Sequence, residues 1–407
     1  MSTAERVEAE SAAVNPREAA GVGASAADPY PSLGVKALIN AFETVSVLGG
    51  TRTHPEVLAA MRGAADAFVD LRELQAAVGA RLAALTRNEA AAVVSGASAG
   101  MVLAAATCAT RRDSAFPNHL MRPWQPPRFD VIVQRCQMSP YVQNVRQAGV
   151  EIKEVGYAQN GTPERLLLDA LDDRTAAVLY TAGRPYERDA IPLDRVVALA
   201  HERDVPVIVD AAALLPPAAN LWHYTRSCGA DLAVFSGGKG LQGPQDSGLV
   251  VGRANLVAHV QAMASPVHGL GRAFKTSKED VIGLLRAVEI ALETDEEARY
   301  AVLLRRTQRM AAALEGVPGI EVHVLPDGRQ GQPCPRTAVR LLPSSGWKRA
   351  AFMAALRDGE PGVVVGALDE DAVSVYVHPL NLTDDEADVV AAQFRILLAA
   401  ERKRGGH

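Results

Sequence analysis

Seven short apolar runs alternate with amphipathic stretches through the first two-thirds of this chain, and that alternation limits the folds open to it. The strand candidates are Ala91–Ser95, Asp130–Gln134, Glu151–Val155, Ala176–Tyr180, Val205–Asp210, Asp231–Phe235 and Gly248–Gly252. Helix candidates lie between them at Met101–Thr110, Pro140–Ala148, Pro163–Leu171 and Leu193–Arg203. Fully apolar, β-branched strands of this length are buried on both faces, as in a mainly parallel sheet with helices on each side. The short connection around Lys239 suggests that the seventh strand, Gly248–Gly252, runs antiparallel to the sixth. After Lys278 the pattern changes to an α+β one. A helical region at Glu279–Glu315 breaks near Thr294, and strands at Gly319–Leu325 and Arg336–Leu342 follow. A helix at Gly346–Arg357, strands near Val363 and at Val373–Val377, and a helix at Thr383–Arg402 complete the chain. The expected organisation is a tail over residues 1–36, a large α/β domain over 37–280 and a smaller α+β domain over 281–407. At 407 residues the chain is long enough for two such domains.

The same pattern places two charged residues at one sheet edge. Val205-Pro-Val-Ile-Val-Asp210 ends an apolar strand in a carboxylate, and ligands of open α/β sheets bind at that carboxyl edge. An N-cap role for Asp210 is opposed by Pro216-Pro217, which leave little room for a following helix. One strand later, Asp231-Leu-Ala-Val-Phe-Ser-Gly-Gly-Lys239-Gly sets a lysine on a Gly-rich turn. Held out of bulk water, such an amine can shed its proton and condense with an aldehyde, while a carboxylate keeps a pyridine nitrogen protonated. Together Lys239 and Asp210 point to pyridoxal phosphate (PLP). A nucleotide P-loop reading fails on spacing, since it needs Gly at 233 and Ser or Thr at 240, where the chain has Ala233 and Gly240.

Ser95-Gly96-Ala97-Ser98 joins a strand to a helix through small residues, an arrangement that suits a phosphate, though small residues also open tightly packed helices. Ser236 can add a hydroxyl to the same anion. The net charge of −5, from 42 basic and 47 acidic residues, argues against an extended nucleic-acid surface. No apolar run reaches a membrane span. Residues 1–27 lack the basic start and apolar block of a signal peptide. Four scattered cysteines and nine histidines without ligand spacing suggest a reducing cytoplasm, no disulfide framework and no metal site.

These motifs belong to a recognisable set. Ile39-Asn-Ala-Phe-Glu-Thr-Val45, Leu48-Gly-Gly-Thr-Arg52, Phe68-Val-Asp-Leu-Arg-Glu-Leu74, Val94-Ser-Gly-Ala-Ser-Ala99, Ile132-Val-Gln-Arg135, Pro206-Val-Ile-Val-Asp-Ala-Ala-Ala213, Phe235-Ser-Gly-Gly-Lys239 with Gly243-Pro-Gln245, and Gly271-Arg272 through Lys278-Glu279 occur in consistent order between Ala37 and Leu292. The chain resembles PLP-dependent fold-type I enzymes, in the branch of bacterial L-seryl-tRNA selenium transferase and D-glucosaminate-6-phosphate ammonia-lyase-like proteins, and lies nearer the lyase-like group.

The resemblance implies that Lys239 holds the cofactor as a Schiff base, that Asp210 pairs with the ring nitrogen, and that Ser95–Ser98 and Ser236 bind its phosphate. It further implies a homodimer or higher oligomer with sites between subunits. Arg272, Lys275 and Arg52 become candidates for anionic groups of a substrate; the alternatives are a solvated loop for the first two and a structural ion pair for Arg52. Gln137 stands where relatives tend to carry a cofactor-facing histidine, and Leu214 where lyase-like relatives carry glutamate; neither can titrate. The implied activity is a lyase acting on an amino acid or amino sugar acid by α-proton abstraction and elimination. Retro-aldol cleavage, racemisation, β-replacement and a non-catalytic binding protein remain as alternatives, and a nucleic-acid partner is not expected.

Overall fold

The computed structural model describes residues 29–114 and 128–404, and of 402–404 only the backbone; most of the expected tail, residues 1–28, lies outside the described residues. The chain forms two compact units. The larger comprises Glu56–Glu293 with Arg329–Gly331, and the smaller the described parts of Met1–Pro55, Thr294–Gly328 and Gln332–His407. These limits differ from the expected ones at 36/37 and 280/281 for two reasons. The strand β1 (Leu38–Ala41) pairs in parallel with β11 (Gly362–Leu368) in the smaller unit's sheet. The helix at Lys278–Glu293 buries Val281, Leu284, Ala287 and Val288 in the larger unit's core.

In the larger unit, seven strands form one sheet in the order β2-β8-β7-β6-β5-β3-β4. They are β2 (Ala90–Val94), β3 (Asp130–Gln134), β4 (Glu151–Val155), β5 (Thr175–Thr181), β6 (Val207–Asp210), β7 (Leu232–Ser236) and β8 (Gly248–Gly252). As expected, β8 is antiparallel, to both β7 and β2, while β4, β3, β5, β6 and β7 pair in parallel.

The helices are α1 (Pro55–Ala65), α2 (Leu71–Leu85), α3 (Gly96–Arg112), α4 (Glu164–Ala170), α5 (Leu193–His201), α6 (Ala254–Met263) and α7 (Lys278–Glu293). The period-2 alternation of each strand divides its side chains between two cores. Val93, Ile132, Val178, Val207, Val209, Ala233 and Phe235 face one, with α2, α4, α5 and α7. Val94, Val133, Leu179, Ile208, Leu232, Val234 and Val250 face the other, with α3 and α6. The stretch Pro140–Ala148, expected as a helix, is 3-10, with Val142 N–H donating to the Ser139 carbonyl at 3.1 Å.

The smaller unit contains a five-stranded sheet in the order β1-β11-β12-β10-β9, with β9 (Ile320–Leu325), β10 (Arg336–Leu341) and β12 (Asp371–Val377). Helices α8 (Glu296–Leu314), α9 (Arg349–Asp358) and α10 (Asp384–Arg404) share its core through Met310, Phe352 and Phe394. The break between α7 and α8 falls at Asp295, whose carboxylate caps α8 by accepting from the N–H groups of Glu297 and Ala298 at 3.0 and 3.1 Å. No helix among the described residues is long and apolar enough to cross a membrane.

Candidate active site

The carboxyl ends of β5, β6 and β7 lie side by side and bring Asp210 and the turn after Ser236 to one edge of the larger unit's sheet. Thr181 at the end of β5 is in register with Asp210 at the end of β6, and Asp210 in turn with Val234 of β7. Ser236 ends β7, and Lys239 follows three residues later on the turn to β8. That turn is held tightly. A Cβ at Gly240 would stand 2.0 Å from the Leu215 carbonyl oxygen, so only glycine allows the turn to pack on the segment after β6. The lysine between these close contacts is half-buried, with Nζ 5.9 Å from the centre of the Tyr141 ring.

Asp210 is 7% exposed. Its Oδ1 accepts from Ala212 N–H at 3.1 Å. Burial raises its pKa; the Ala212 hydrogen bond and the positive charge of Lys239 pull the other way without prevailing. A buried carboxylate in this condition is suited to a cationic partner.

Helix α3 starts at Gly96, directly after β2, and its N-cap residue Ser95 makes no side-chain capping bond. Gly96 has φ +79° with open space where a Cβ would stand. A Cβ on Gly248 would lie 2.5 Å from the Gly96 carbonyl carbon, so glycine there brings the start of β8, opposite Ser236, onto the start of α3. Ala97 is buried in the α3-side core, and Ser98 Oγ accepts from Asn144 Nδ2 at 3.1 Å. Ser95, Gly96 and Ser236 are half-buried at this corner.

Gln137 is fully buried just past β3. Its Nε2 donates to the Thr181 carbonyl at 3.1 Å, and Thr181 Oγ1 donates back to the Gln137 carbonyl at 3.2 Å. The amide is thus fixed to the end of β5. Leu214 is buried in the apolar cluster that holds Val209 and Phe235.

The three basic candidates have different placements. Arg52 lies in the smaller unit in a bidentate pair with Glu386 at 2.7 and 2.5 Å, and it also donates to the Asn381 carbonyl at 2.8 Å. This is the structural ion pair left open above. Arg272 and Lys275 are exposed on the loop between α6 and α7. Two aromatic residues at the sheet edge carried no motif: Tyr141, beside Lys239, and Tyr186, two residues into the turn of helix after β5. Burial raises the Tyr186 pKa, and the Asp210 and Tyr141 charges add to that shift.

The aminotransferase class-V family model matches residues 55–293, more than half the chain. A 5'-C-glycyluridine monooxygenase-decarboxylase from Streptomyces sp. is 34% identical over 376 residues, covering 91% of this chain and 92% of that protein. The D-glucosaminate-6-phosphate ammonia lyase of Salmonella typhimurium is 29% identical over 372 residues, with 90% and 96% covered. A solved structure of D-glucosaminate-6-phosphate ammonia-lyase superposes with a TM-score of 0.78 at 27% identity, covering 92% of this chain and 99% of that one. The chain belongs to the aminotransferase class-V family, as a pyridoxal-phosphate-dependent fold-type I enzyme.

Proposed function

We propose that Lys239 is the cofactor lysine, that Asp210 holds the protonated ring nitrogen, and that Ser95–Ser98 with Ser236 receive the phosphate. The observation that carries this reading is the state of Asp210, a buried carboxylate whose raised pKa would be relieved by a cationic ring. The uncapped start of α3 against Gly248 supports the phosphate assignment, because its N–H groups and dipole favour an anion. Bound there, PLP supplies an electron sink for the carbon beside the substrate's amine. The chain's own residues orient and move protons. With the cofactor held there, Lys239 Nζ would serve as the base for the α-proton, and Asp210 would maintain the positive charge of the ring nitrogen. Gln137 orients through its amide and transfers no proton, and Leu214 only excludes water.

The substrate in this reading is an amino acid or amino sugar acid, and the reaction is loss of water or another β-substituent followed by release of ammonia. The 34% identical relative motivates a second reading, oxidative decarboxylation of a glycyl group borne on a nucleoside. Incubation with D-glucosaminate 6-phosphate and with 5'-C-glycyluridine in D₂O separates them. Ammonia release without oxygen uptake supports elimination, and carbon dioxide with oxygen uptake supports the second reading. Wild-type enzyme that exchanged no α-proton with any amino acid would overturn the role of Lys239 as base.

A cytoplasmic homodimer belongs to the same proposal. Phe68 is fully exposed beside half-exposed Val69, with Leu58 also exposed on the same unit, and such an apolar surface is suited to burial between subunits. Sedimentation of the purified protein tests it, a monomer at micromolar concentration being the contrary result.

A further inference from the structure

The 3-10 stretch Pro140–Ala148 turns once every three residues, so its side chains stack in stripes along its length. Val142, Val145 and Ala148 form one stripe, buried in the core shared with α3. Tyr141 and Asn144 belong to the neighbouring stripe, and each meets a residue of the candidate site. The Tyr141 ring lies 5.9 Å from Lys239 Nζ, and Asn144 Nδ2 donates to Ser98 Oγ at 3.1 Å. One stripe therefore runs from the lysine to the first turn of α3.

The hydrogen bond to Ser98 has a direction. A hydroxyl carries one proton and two acceptor lone pairs, whereas an amide N–H only donates. With Asn144 on one lone pair, the Ser98 proton is left for another group. Ser98 is the third residue of α3, and its hydroxyl donates to no group among the described residues. Left to itself, a serine hydroxyl in a helix turns back onto the carbonyl four residues earlier, which withdraws its proton from any ligand.

We propose that Asn144 is a positioning residue for the cofactor phosphate: by holding a lone pair of Ser98 Oγ, it turns the Ser98 proton toward the anion. Fixing that one rotor before binding lowers the ordering cost that the phosphate would otherwise meet. The inference rests on the phosphate assignment above and adds to it a residue 46 positions along the chain from the serine it orients.

The test uses the full-length protein freed of cofactor and compares its dissociation constants for PLP and for pyridoxal, which lacks the phosphate. The readout is the preference for PLP, the ratio of the two constants. N144L should lower that preference about 3- to 10-fold, the scale of one hydrogen bond, and leave pyridoxal affinity unchanged. N144D keeps the shape but accepts where the amide donates, so it draws the Ser98 proton to itself and should lower the preference further. In an S98A background, N144L should change the preference less than about twofold, because the hydroxyl it positions is gone. An unaltered preference in N144L or N144D, equal weakening of PLP and pyridoxal, or the same N144L loss in both backgrounds would overturn the role of Asn144. Should N144L not fold, N144A takes its place under the same criteria. An S98A variant with unaltered preference, or a wild type that bound PLP no better than pyridoxal, would instead overturn the phosphate assignment itself.

Discussion

Two buried aspartates flank the centre of the large sheet, one at each edge. Asp231, 1% exposed, stands just before β7 and has three partners, two hydrogen bonds on Oδ2 and an ion pair on Oδ1. It accepts from Val207 N–H at 2.7 Å and His201 Nε2 at 2.9 Å, and pairs with Arg253 Nε at 2.8 Å. Asp210, at the end of β6, accepts from Ala212 N–H and has Lys239 as the positive charge acting on it. The first arrangement closes the amino edge of the sheet. The second leaves a carboxylate whose burial is incompletely offset, which a fold tolerates where a ligand completes the site.

Substitutions at the two positions should therefore diverge. Asp210→Asn is expected to lower turnover about 10²-fold or more, as loss of a preorganised electrostatic group does. It should also stabilise the cofactor-free protein at neutral pH. The folded pKa of Asp210 lies above its unfolded value of 3.8, so its effect on stability worsens as pH rises through the folded pKa. The amide removes that decline, and denaturant melts of the apoprotein from acid to neutral pH measure it. A less stable Asn variant would break the contrast. Asp231→Ala should do the reverse, costing about 2–3 kcal/mol of stability, with partner exposure limiting the loss, while turnover per holoenzyme is kept.

His378 extends the comparison to the smaller unit. It is buried, with Nε2 lacking a hydrogen-bond partner, and burial together with Arg336 and Arg299 pushes its pKa down to about 3. Between the unfolded value of 6.5 and about 3, the unfolded chain takes up a proton that the folded one refuses. Stability should fall as pH drops through that window, and His378→Leu should flatten the slope in acid-unfolding curves. The smallest effect is expected at Arg52, where both side chains of the pair with Glu386 are about a quarter exposed. Arg52→Ala should cost about 1 kcal/mol of stability. A KM that rose sharply without loss of stability would restore a substrate role.

Strand polarity separates the two aspartates in the sequence itself. Asp231 precedes its apolar run and Asp210 ends one, so a parallel sheet sends them to opposite edges. The strands of the large sheet were legible to within about two residues, because each is a continuous apolar run between breakers. The strand β1 was not, since Leu38–Ala41 is too short to show a period, and its partner β11 lies more than 300 residues away. The same distance hid the pairing of Arg52 with Glu386, 334 positions apart. Tyr141 and Tyr186 left no local signal at all. Each reaches the sheet edge through a connection whose path depends on tertiary packing rather than on nearby sequence.

The most direct test of the central claim is the visible absorption spectrum of the purified protein, before and after borohydride, beside Lys239→Ala. If Lys239 carries the cofactor, the wild type will show a band that borohydride abolishes while fixing the cofactor to the chain, and the Ala variant will show neither. An identical reducible band in Lys239→Ala, or none in the wild type after added PLP, would contradict it.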